Sequence, residues 1–327
     1  MKSVEAAVIG TGWCGGIRAE TLSRSTLCDK LHICEIRPDR LAEVKALAKP
    51  ATATLDYQDI VKNDNISVVY ISTTPESNHY PIARDCLHAG KHVLLEKPLA
   101  PTVEAGRRIA EAVKASGVRA MVAQTLRFDA TVAAVRAQLP GIAPIHALTL
   151  SQRFEPSPLP WLDRMAESGG GVLLHTGVHS IDLLRVLTGR EVTSVACTTA
   201  RVVASETEDN FVMLARFDTP ELLGQVSGSR AVGGRVGTIE VAGAGGTILG
   251  DHVQGTASLI RGRTSTTLSI PSSVPTVREV LRAFVTSVRT GLPMPVSVQD
   301  GLRAVAIVEA GYRSASRGGA PVPVEAV

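Results

Sequence analysis

The 327-residue chain carries 34 Lys and Arg against 31 Asp and Glu, a net charge of +3 with no basic block, so nucleic acid is not an expected partner. Apolar residues make up 44% and charged residues 20% of the chain, a balance that supports folded interiors rather than disorder, over a length that suggests two domains. Five scattered cysteines (Cys14, Cys28, Cys34, Cys86, Cys197) offer neither a metal-knuckle spacing nor an even disulfide set, and no leader or bilayer-spanning run is found, so a cytoplasmic protein away from membranes is expected.

Residues 6–9 form a short apolar run that passes directly into Gly10-Thr11-Gly12-Trp13-Cys14-Gly15, and residues 17–22 continue as a helix. Glycines between a strand and a helix allow a sharp turn and a close approach of backbone to a pyrophosphate, whose charge is favoured by the free N–H groups at the helix start. Residues 31–34 read as the second strand. It ends at Glu35, about 20 positions beyond the glycines, where a carboxylate binds the adenosine ribose. Glu35 repels a 2′-phosphate and favours NAD; Arg37 keeps NADP open, because it can pair with that phosphate or stack on adenine. The plainer alternative for both is a solvated strand end. Residues 40–48 read as a helix with Leu41, Val44 and Leu47 or Ala48 on one face, and residues 56–61 as a short amphipathic turn. The strand 68–71 opens into a polar loop over 72–79. Thr73, Thr74 and Pro75 are expected beside the cofactor there, with His79 a cap or packing residue before a helix over 80–87.

A further buried strand precedes Glu96-Lys97-Pro98, and strands of a parallel sheet point their carboxyl ends at the ligand crevice. Lys97 is therefore expected at the mouth of a site, able to hydrogen-bond a reacting oxygen or move a proton, with Glu96 next to it. The alternative is an exposed Glu-Lys pair at an ordinary strand end. With a helix over 103–115 and a strand over 118–123, residues 1–123 alternate strand and helix, the pattern of a doubly wound parallel sheet.

The glycine turn, Thr74-Pro75 with His79, and above all Ala89-Gly90-Lys91-His92-Val93-Leu94-Leu95-Glu96-Lys97-Pro98 resemble the Gfo/Idh/MocA family of nicotinamide-dependent oxidoreductases. The resemblance runs along essentially the whole chain. It implies a Rossmann domain followed by a substrate-binding α+β domain over 124–327, NAD as cofactor, a small carbohydrate-like substrate and a homodimer or homotetramer. Arg127 in Gln124-Thr125-Leu126-Arg127-Phe128 either reaches the site or braces the domain junction. A strand over 145–152 leads to a proline-rich loop over 154–163, suited to covering a substrate. Trp161 and Arg164 are possible contacts there, although a tryptophan serves equally as packing.

Gly169-Gly170-Gly171 introduces a helix over 172–187 on which His175, His179 and Asp182 share one face. Zinc is disfavoured, since the pair lacks the Glu of H-E-x-x-H and a further ligand, so no metal site is expected and acid/base chemistry is the better reading. The stretch resembles the family's catalytic helix, which implies His179 as the general base or acid. His175, followed by Thr176, stands where many sugar and polyol dehydrogenases of the family carry aspartate. A donor or cation there in place of a carboxylate favours a substrate with an acidic or carbonyl group near the reacting carbon.

Strands over 192–203, 211–217, 222–229, 236–241 and 246–249 should form one open antiparallel or mixed sheet whose free face needs another subunit. Helices over 278–290 and 300–315 close the chain. The expected activity is NAD(H)-dependent hydride transfer with a secondary alcohol or ketone of a sugar, polyol or derivative. The alternatives are an NAD-retaining enzyme with a net epimerisation, elimination or hydrolysis, and a non-enzymatic dinucleotide-binding regulator.

Overall fold

The computed structural model describes residues 4–272 and 274–327; the first three residues, where the search for a leader begins, lie outside the described residues. The chain divides into two compact units, Met1–Gln124 with Pro275–Leu302, and Thr125–Val274 with Arg303–Val327.

In the first unit, strands β1 (Glu5–Ile9), β2 (Lys30–Cys34), β3 (Thr52–Thr54), β4 (Ile66–Ile71), β5 (His92–Leu95) and β6 (Ala120–Val122) form a parallel sheet in the order β3-β2-β1-β4-β5-β6. Helices α1 (Trp13–Ser23), α2 (Pro38–Ala48), α3 (Tyr57–Lys62), α4 (His79–His88) and α5 (Val103–Ser116) make the crossovers. With helices on both faces, the central strands are buried on both sides, which is why they read as continuous apolar runs. Strand β1 pairs with β2 on one side (Val8 opposite Ile33) and β4 on the other (Val8 opposite Tyr70), so the order reverses beside the glycine turn. The sequence pattern misses β3, because a three-residue, partly exposed Thr-Ala-Thr carries no apolar run.

A single boundary near residue 123 is corrected by the return of Pro275–Leu302 to this unit. Helix α9 (Thr276–Thr290; between them the second unit contributes α6 to α8, given below) buries Val280, Leu281, Phe284 and Val285. Phe284 meets Tyr70 of β4 edge to face, with ring centroids 5.8 Å apart, and both rings are fully buried. Val122 at the β6 edge donates its N–H to the Val296 carbonyl at 3.2 Å, so the returning segment is tied by backbone as well as by packing.

The second unit holds a nine-stranded mixed sheet of β7 (Ile145–Arg153), β8 (Val192–Ala200), β9 (Asn210–Phe217), β10 (Leu223–Ser229), β11 (Val236–Gly243), β12 (Gly246–Asp251), β13 (Thr256–Arg261), β14 (Thr264–Thr267) and β15 (Val322–Pro323). Its order is β14-β13-β12-β11-β7-β10-β9-β8-β15; β10 and β7 run parallel and the other pairs antiparallel. Helices α6 (Ala130–Gln138), α7 (Met165–Ser168), α8 (Val178–Thr188) and α10 (Val298–Ala315, which begins in the first unit) complete it. Alternation along β9 places Phe211, Met213, Ala215 and Phe217 in the core with Leu183, Leu184 and Leu187 of α8, while Val212 and Leu214 stay exposed on the other face. Strand β8 stops at Ala200 rather than near 203, because the N–H groups of Val202, Val203 and Ala204 turn to the Asp209 carboxylate instead of a neighbouring strand. No helix among the described residues is long and apolar enough to cross a membrane.

Replacing Phe284 with Ala should destabilise the first unit by about 3–5 kcal/mol, the usual cost of removing a buried aromatic ring. Urea unfolding measures this, and a cost below about 1 kcal/mol would contradict the packing of α9 on β4.

Candidate functional site

The glycine turn is shaped by close approaches. Gly10 has φ +82°, and a Cβ there would stand 2.8 Å from the Ser72 carbonyl oxygen and 2.9 Å from Thr73 Cγ2. A Cβ on Gly15 would run into the Gly10 carbonyl oxygen, so only glycine closes the loop against the helix. Gly12 differs: nothing among the described residues lies within 4 Å of where its Cβ would be. It begins α1 without a side-chain cap or an acidic residue in the first turn, which leaves the first-turn N–H groups for an anion. An uncapped helix start beside open space fits a pyrophosphate. Arg40 supports the loop, donating Nε to the Thr11 carbonyl at 2.7 Å and a terminal nitrogen to the Gly12 carbonyl at 3.1 Å. The sequence reading took Arg40 only as a helix start, and nothing in its neighbours distinguishes it.

Glu35 follows β2 with 5% exposure and accepts hydrogen bonds from Thr11 N (2.9 Å) and Thr11 Oγ1 (3.2 Å) through one oxygen, and from Arg37 N and Nε (both 3.2 Å) through the other. It therefore stands against the glycine turn, where a ribose carboxylate belongs. Arg37 is engaged with it, and Trp13 and Ile36 are exposed, at 70% and 78%. Thr73 packs at Gly10, with Thr74 and Pro75 following in the same loop. Cys14 keeps its proton, burial pushing the thiol up to about 11. His79 is fully buried, its Nδ1 donating to the Leu99 carbonyl at 3.1 Å, and desolvation lowers its pKa, so it packs the fold.

The two lysines of the second motif part company. Lys91 is buried and donates Nζ to the carbonyls of Asn63 (2.7 Å) and Ile66 (3.0 Å), a structural clamp. Lys97 is half-buried just past the end of β5. Next to it Glu96 accepts Arg18 Nε at 2.6 Å in a two-nitrogen ion pair, with side chains only 3% and 10% exposed, and also accepts the Lys97 N–H at 3.3 Å. Glu96 therefore acts through Lys97 and α1. Glu76, which the sequence reading passed over, is buried in the same loop as Thr74, and burial pushes its carboxyl up to about 7.

In the second unit the expected single helix over 172–187 is two segments. A π-helical turn, Leu173–Gly177, precedes α8. Insertions of this kind recur at functional sites because they re-aim side chains. Here they separate the three residues expected to act together. His175 is 6% exposed, donates Nε2 to the Ser168 carbonyl at 3.0 Å and meets Trp161 edge to face at 5.4 Å. Asp182 is buried and takes both Arg127 Nε and a terminal nitrogen at 2.6 Å. His179, half-buried in the first turn of α8, is the most exposed of the three. Arg127 thus braces α8, Trp161 packs on His175, and Arg164 pairs with Glu167 at 2.6 Å on the surface. Arg127, expected either to reach the site or to brace the junction, and Arg164, expected as a possible substrate contact, each pair with a carboxylate.

Three carboxylates unremarked in the sequence organise the surroundings. Asp163 collects the N–H groups of Ser205, Glu206 and Thr207, which hold it well below the usual range. Asp209 gathers those of Val202, Val203 and Ala204. Glu208 accepts the N–H groups of Gly171 and Leu173 and the Tyr312 hydroxyl (2.8 Å), capping the start of the π-helical turn from another part of the chain; burial pushes its pKa up. A cavity of ≈ 300 Å³ lies among them, lined also by His175, Val172 and Arg230. The only sequence signal for these acids was the short Glu206-Thr207-Glu208-Asp209 run between strands.

Comparison with known proteins agrees with both halves. The model of an oxidoreductase family with an NAD-binding Rossmann fold, Gfo/Idh/MocA, matches residues 4–124, and the model of its C-terminal domain matches 143–249. The chain is 29% identical over 321 residues to the myo-inositol 2-dehydrogenase of Thermotoga maritima, covering 94% of this chain and 95% of that protein. The structure of a probable dehydrogenase from Thermotoga maritima superposes with a TM-score of 0.85 at 27% identity, covering 98% and 99% of the two chains. Levoglucosan dehydrogenase in complex with NADH superposes at 0.90 over the full length of both chains; at 22% identity that likeness concerns the fold.

Glu96→Leu should cost about 3–5 kcal/mol by leaving the Arg18 cation buried alone, whereas Arg18→Met combined with Glu96→Leu should cost less than the sum of those two single changes. Urea unfolding of the four proteins tests this, and additivity would deny the coupling. Glu76 sets a pH dependence of known sign. Its raised folded pKa means that the unfolded chain, titrating near 4.5, releases its proton first, so stability falls as pH rises from about 4.5 to about 7 and is level above. Glu76→Gln should therefore change little at pH 5 and stabilise by up to about 3 kcal/mol at pH 8. An equal effect at both pH values would refute the assignment.

Proposed function

Because the chain belongs to the Gfo/Idh/MocA oxidoreductase family, we propose that it is an NAD(H)-dependent dehydrogenase or reductase acting on a secondary alcohol or ketone of a sugar, polyol or sugar derivative. The observation that carries this reading is the uncapped start of α1 at Gly12, beside open space and next to the Glu35 carboxylate. The turn from Gly10 to Gly15 would hold the pyrophosphate, Glu35 the adenosine ribose, and Thr73, Thr74 and Pro75 would border the nicotinamide side. NAD is favoured over NADP, since the buried carboxylate repels a 2′-phosphate and already engages Arg37. NAD, when bound, supplies the hydride acceptor, and NADH the donor.

The protein's own groups handle the proton and the oxygen. In the oxidative direction His179 takes the proton of the substrate hydroxyl, and Lys97 donates a hydrogen bond to the reacting oxygen as it becomes a carbonyl. Arg127, through Asp182, holds α8 and so the direction of the His179 ring. Carbohydrate-like substrates accord with relatives named as myo-inositol 2-dehydrogenase and levoglucosan dehydrogenase. The same reading extends to a cytoplasmic homo-oligomer whose subunits cover the exposed Val212, Leu214 and Leu223 of the nine-stranded sheet.

Purified protein with NAD and a panel of polyols, aldoses, sugar acids and glycosides should give rising near-ultraviolet absorbance of reduced nicotinamide with one compound class. Lys97→Met should reduce kcat at least about a hundredfold with NADH binding retained, and His179→Ala should slow turnover about 100- to 10,000-fold at neutral pH. Full turnover in Lys97→Met would remove it from the mechanism. No absorbance change with any compound, in protein that binds NADH, would refute net redox chemistry.

A further inference from the structure

The ≈ 300 Å³ cavity of the second unit contains one cation without a carboxylate, and that residue is Arg230. It follows β10 and donates Nε to Thr176 Oγ1 at 2.8 Å, its one side-chain hydrogen bond among the described residues. Among the described residues its terminal nitrogens make no hydrogen bond or ion pair with the protein. Every acid nearby is engaged elsewhere: Asp163 and Asp209 by backbone N–H groups, Glu208 by Gly171, Leu173 and Tyr312, and Glu155 by Arg235 at 2.7 Å. The guanidinium also stacks on Phe154, 5.4 Å from its ring centroid, and Arg235 approaches the same ring at 5.9 Å. Burial and the like charge of Arg235 lower the Arg230 pKa against a smaller opposing pull from Glu155, so the cation gains from a further counter-charge more than a solvated arginine would.

A half-buried arginine is normally neutralised by its own chain, and here the chain keeps its acids for loop turns and a helix start. Arg230 lines the cavity with its terminal nitrogens uncommitted among the described residues, and the cavity's volume is at the small end of the ~300–1,000 Å³ of small-molecule sites. We infer that Arg230 reads a carboxylate on the ligand of this cavity, so that the protein's substrate class is a sugar acid or carboxylated polyol rather than a neutral one. This deepens the proposed function and rests on it for the word substrate; the carboxylate site itself does not.

Planar guanidinium and planar carboxylate match through two parallel hydrogen bonds. One guanidinium offers one planar pairing edge, and the Asp163, Asp209 and Glu208 carboxylates in the same lining disfavour the two charges of a phosphate monoester. Thr176 fixes the Nε edge, so the edge formed by the terminal nitrogens is the one presented. His175, a group that is not an acid, also stands on the cavity wall. Arg230 stands at Thr176, three residues before His179, and so is tied to the segment that carries the proposed base.

The test is calorimetric binding, in the presence of NADH, of glucuronate, its neutral isostere glucuronamide, glucose and glucose 6-phosphate to the full-length protein. Glucuronate should bind at least about tenfold more tightly than glucuronamide or glucose, the lower range for a charge-assisted contact. Arg230→Gln should remove that preference, and Arg230→Lys should restore only part of it, since an ammonium lacks the fork. The glucuronate to glucuronamide comparison needs no variant and stands even where Arg230→Gln fails to fold. Equal affinity for the acid and the amide, glucose 6-phosphate outcompeting glucuronate, or a preference that survives Arg230→Gln would each overturn the inference. Absorbance assays on the same compounds separate the two readings. Turnover of neutral polyols without any preference for acids defeats the carboxylate site and leaves the oxidoreductase; Arg230-dependent binding of glucuronate with no turnover of any compound does the reverse.

Discussion

The ion pair between Arg18 and Glu96 is the constraint that makes the first unit's site definite. Arg18 lies one turn beyond Gly15 in α1, and Glu96 lies directly after β5, so the pair locks the helix that starts at the glycine turn to the strand that presents Lys97. Both side chains are nearly buried, and two buried charges cost several kcal/mol each to desolvate unless they meet in good geometry. The gain is therefore less in net stability than in exclusivity: any arrangement that moves α1 against β5 strands two charges in an apolar interior. Gly10 and Gly15 impose the same rigidity from the other side, because both approaches are too close for any side chain. Lys97 then inherits its position from its neighbour, and the Lys97 N–H bonded to Glu96 makes that inheritance direct.

The second unit solves a different problem with the same group. The segment leading to His179 begins at three consecutive glycines and runs through a π-helical turn, a start with little intrinsic helical preference. Glu208 supplies what the local sequence lacks, accepting the N–H groups of Gly171 and Leu173 from across the unit. A Cβ on Gly171 would collide with the Glu208 backbone, so the glycine is what lets the cap come close. The adjacent Asp209 and the more distant Asp163 gather loop N–H groups in the same way. Among the described residues none of these three carboxylates forms an ion pair with Arg230. That allocation leaves Arg230 with its charge exposed to the cavity.

Much of this was legible in the sequence because it depends on period and punctuation. Continuous apolar runs between glycine turns read as buried strands and so as a parallel sheet, and the strands over 192–249 between Gly and Asp turns read as one open antiparallel or mixed sheet. Gly10 to Gly15, Glu35 and Lys97 were readable because motif and element boundary coincide. What stayed hidden depends on contacts far apart in sequence. The return of α9 to the first unit is decided by Phe284 finding Tyr70 across more than 200 positions, and helical periodicity reports a buried stripe without saying what covers it. Strand β3 is too short to carry a period at all.

His175, His179 and Asp182 show where spacing alone misleads. On a regular helix the three share a face, and a shared face invites a relay. The π-helical turn over Leu173–Gly177 and the partners that each residue finds dissolve it: His175 takes the Ser168 carbonyl and Trp161, Asp182 takes Arg127, and only His179 keeps substantial exposure. The same partners fix the segment that carries His179, the residue proposed as the base. Arg127 grips α8 through Asp182, and Glu208 caps the segment before it. Of the three, His175 and Asp182 are spent on structural partners, and the proposed proton transfer rests on His179.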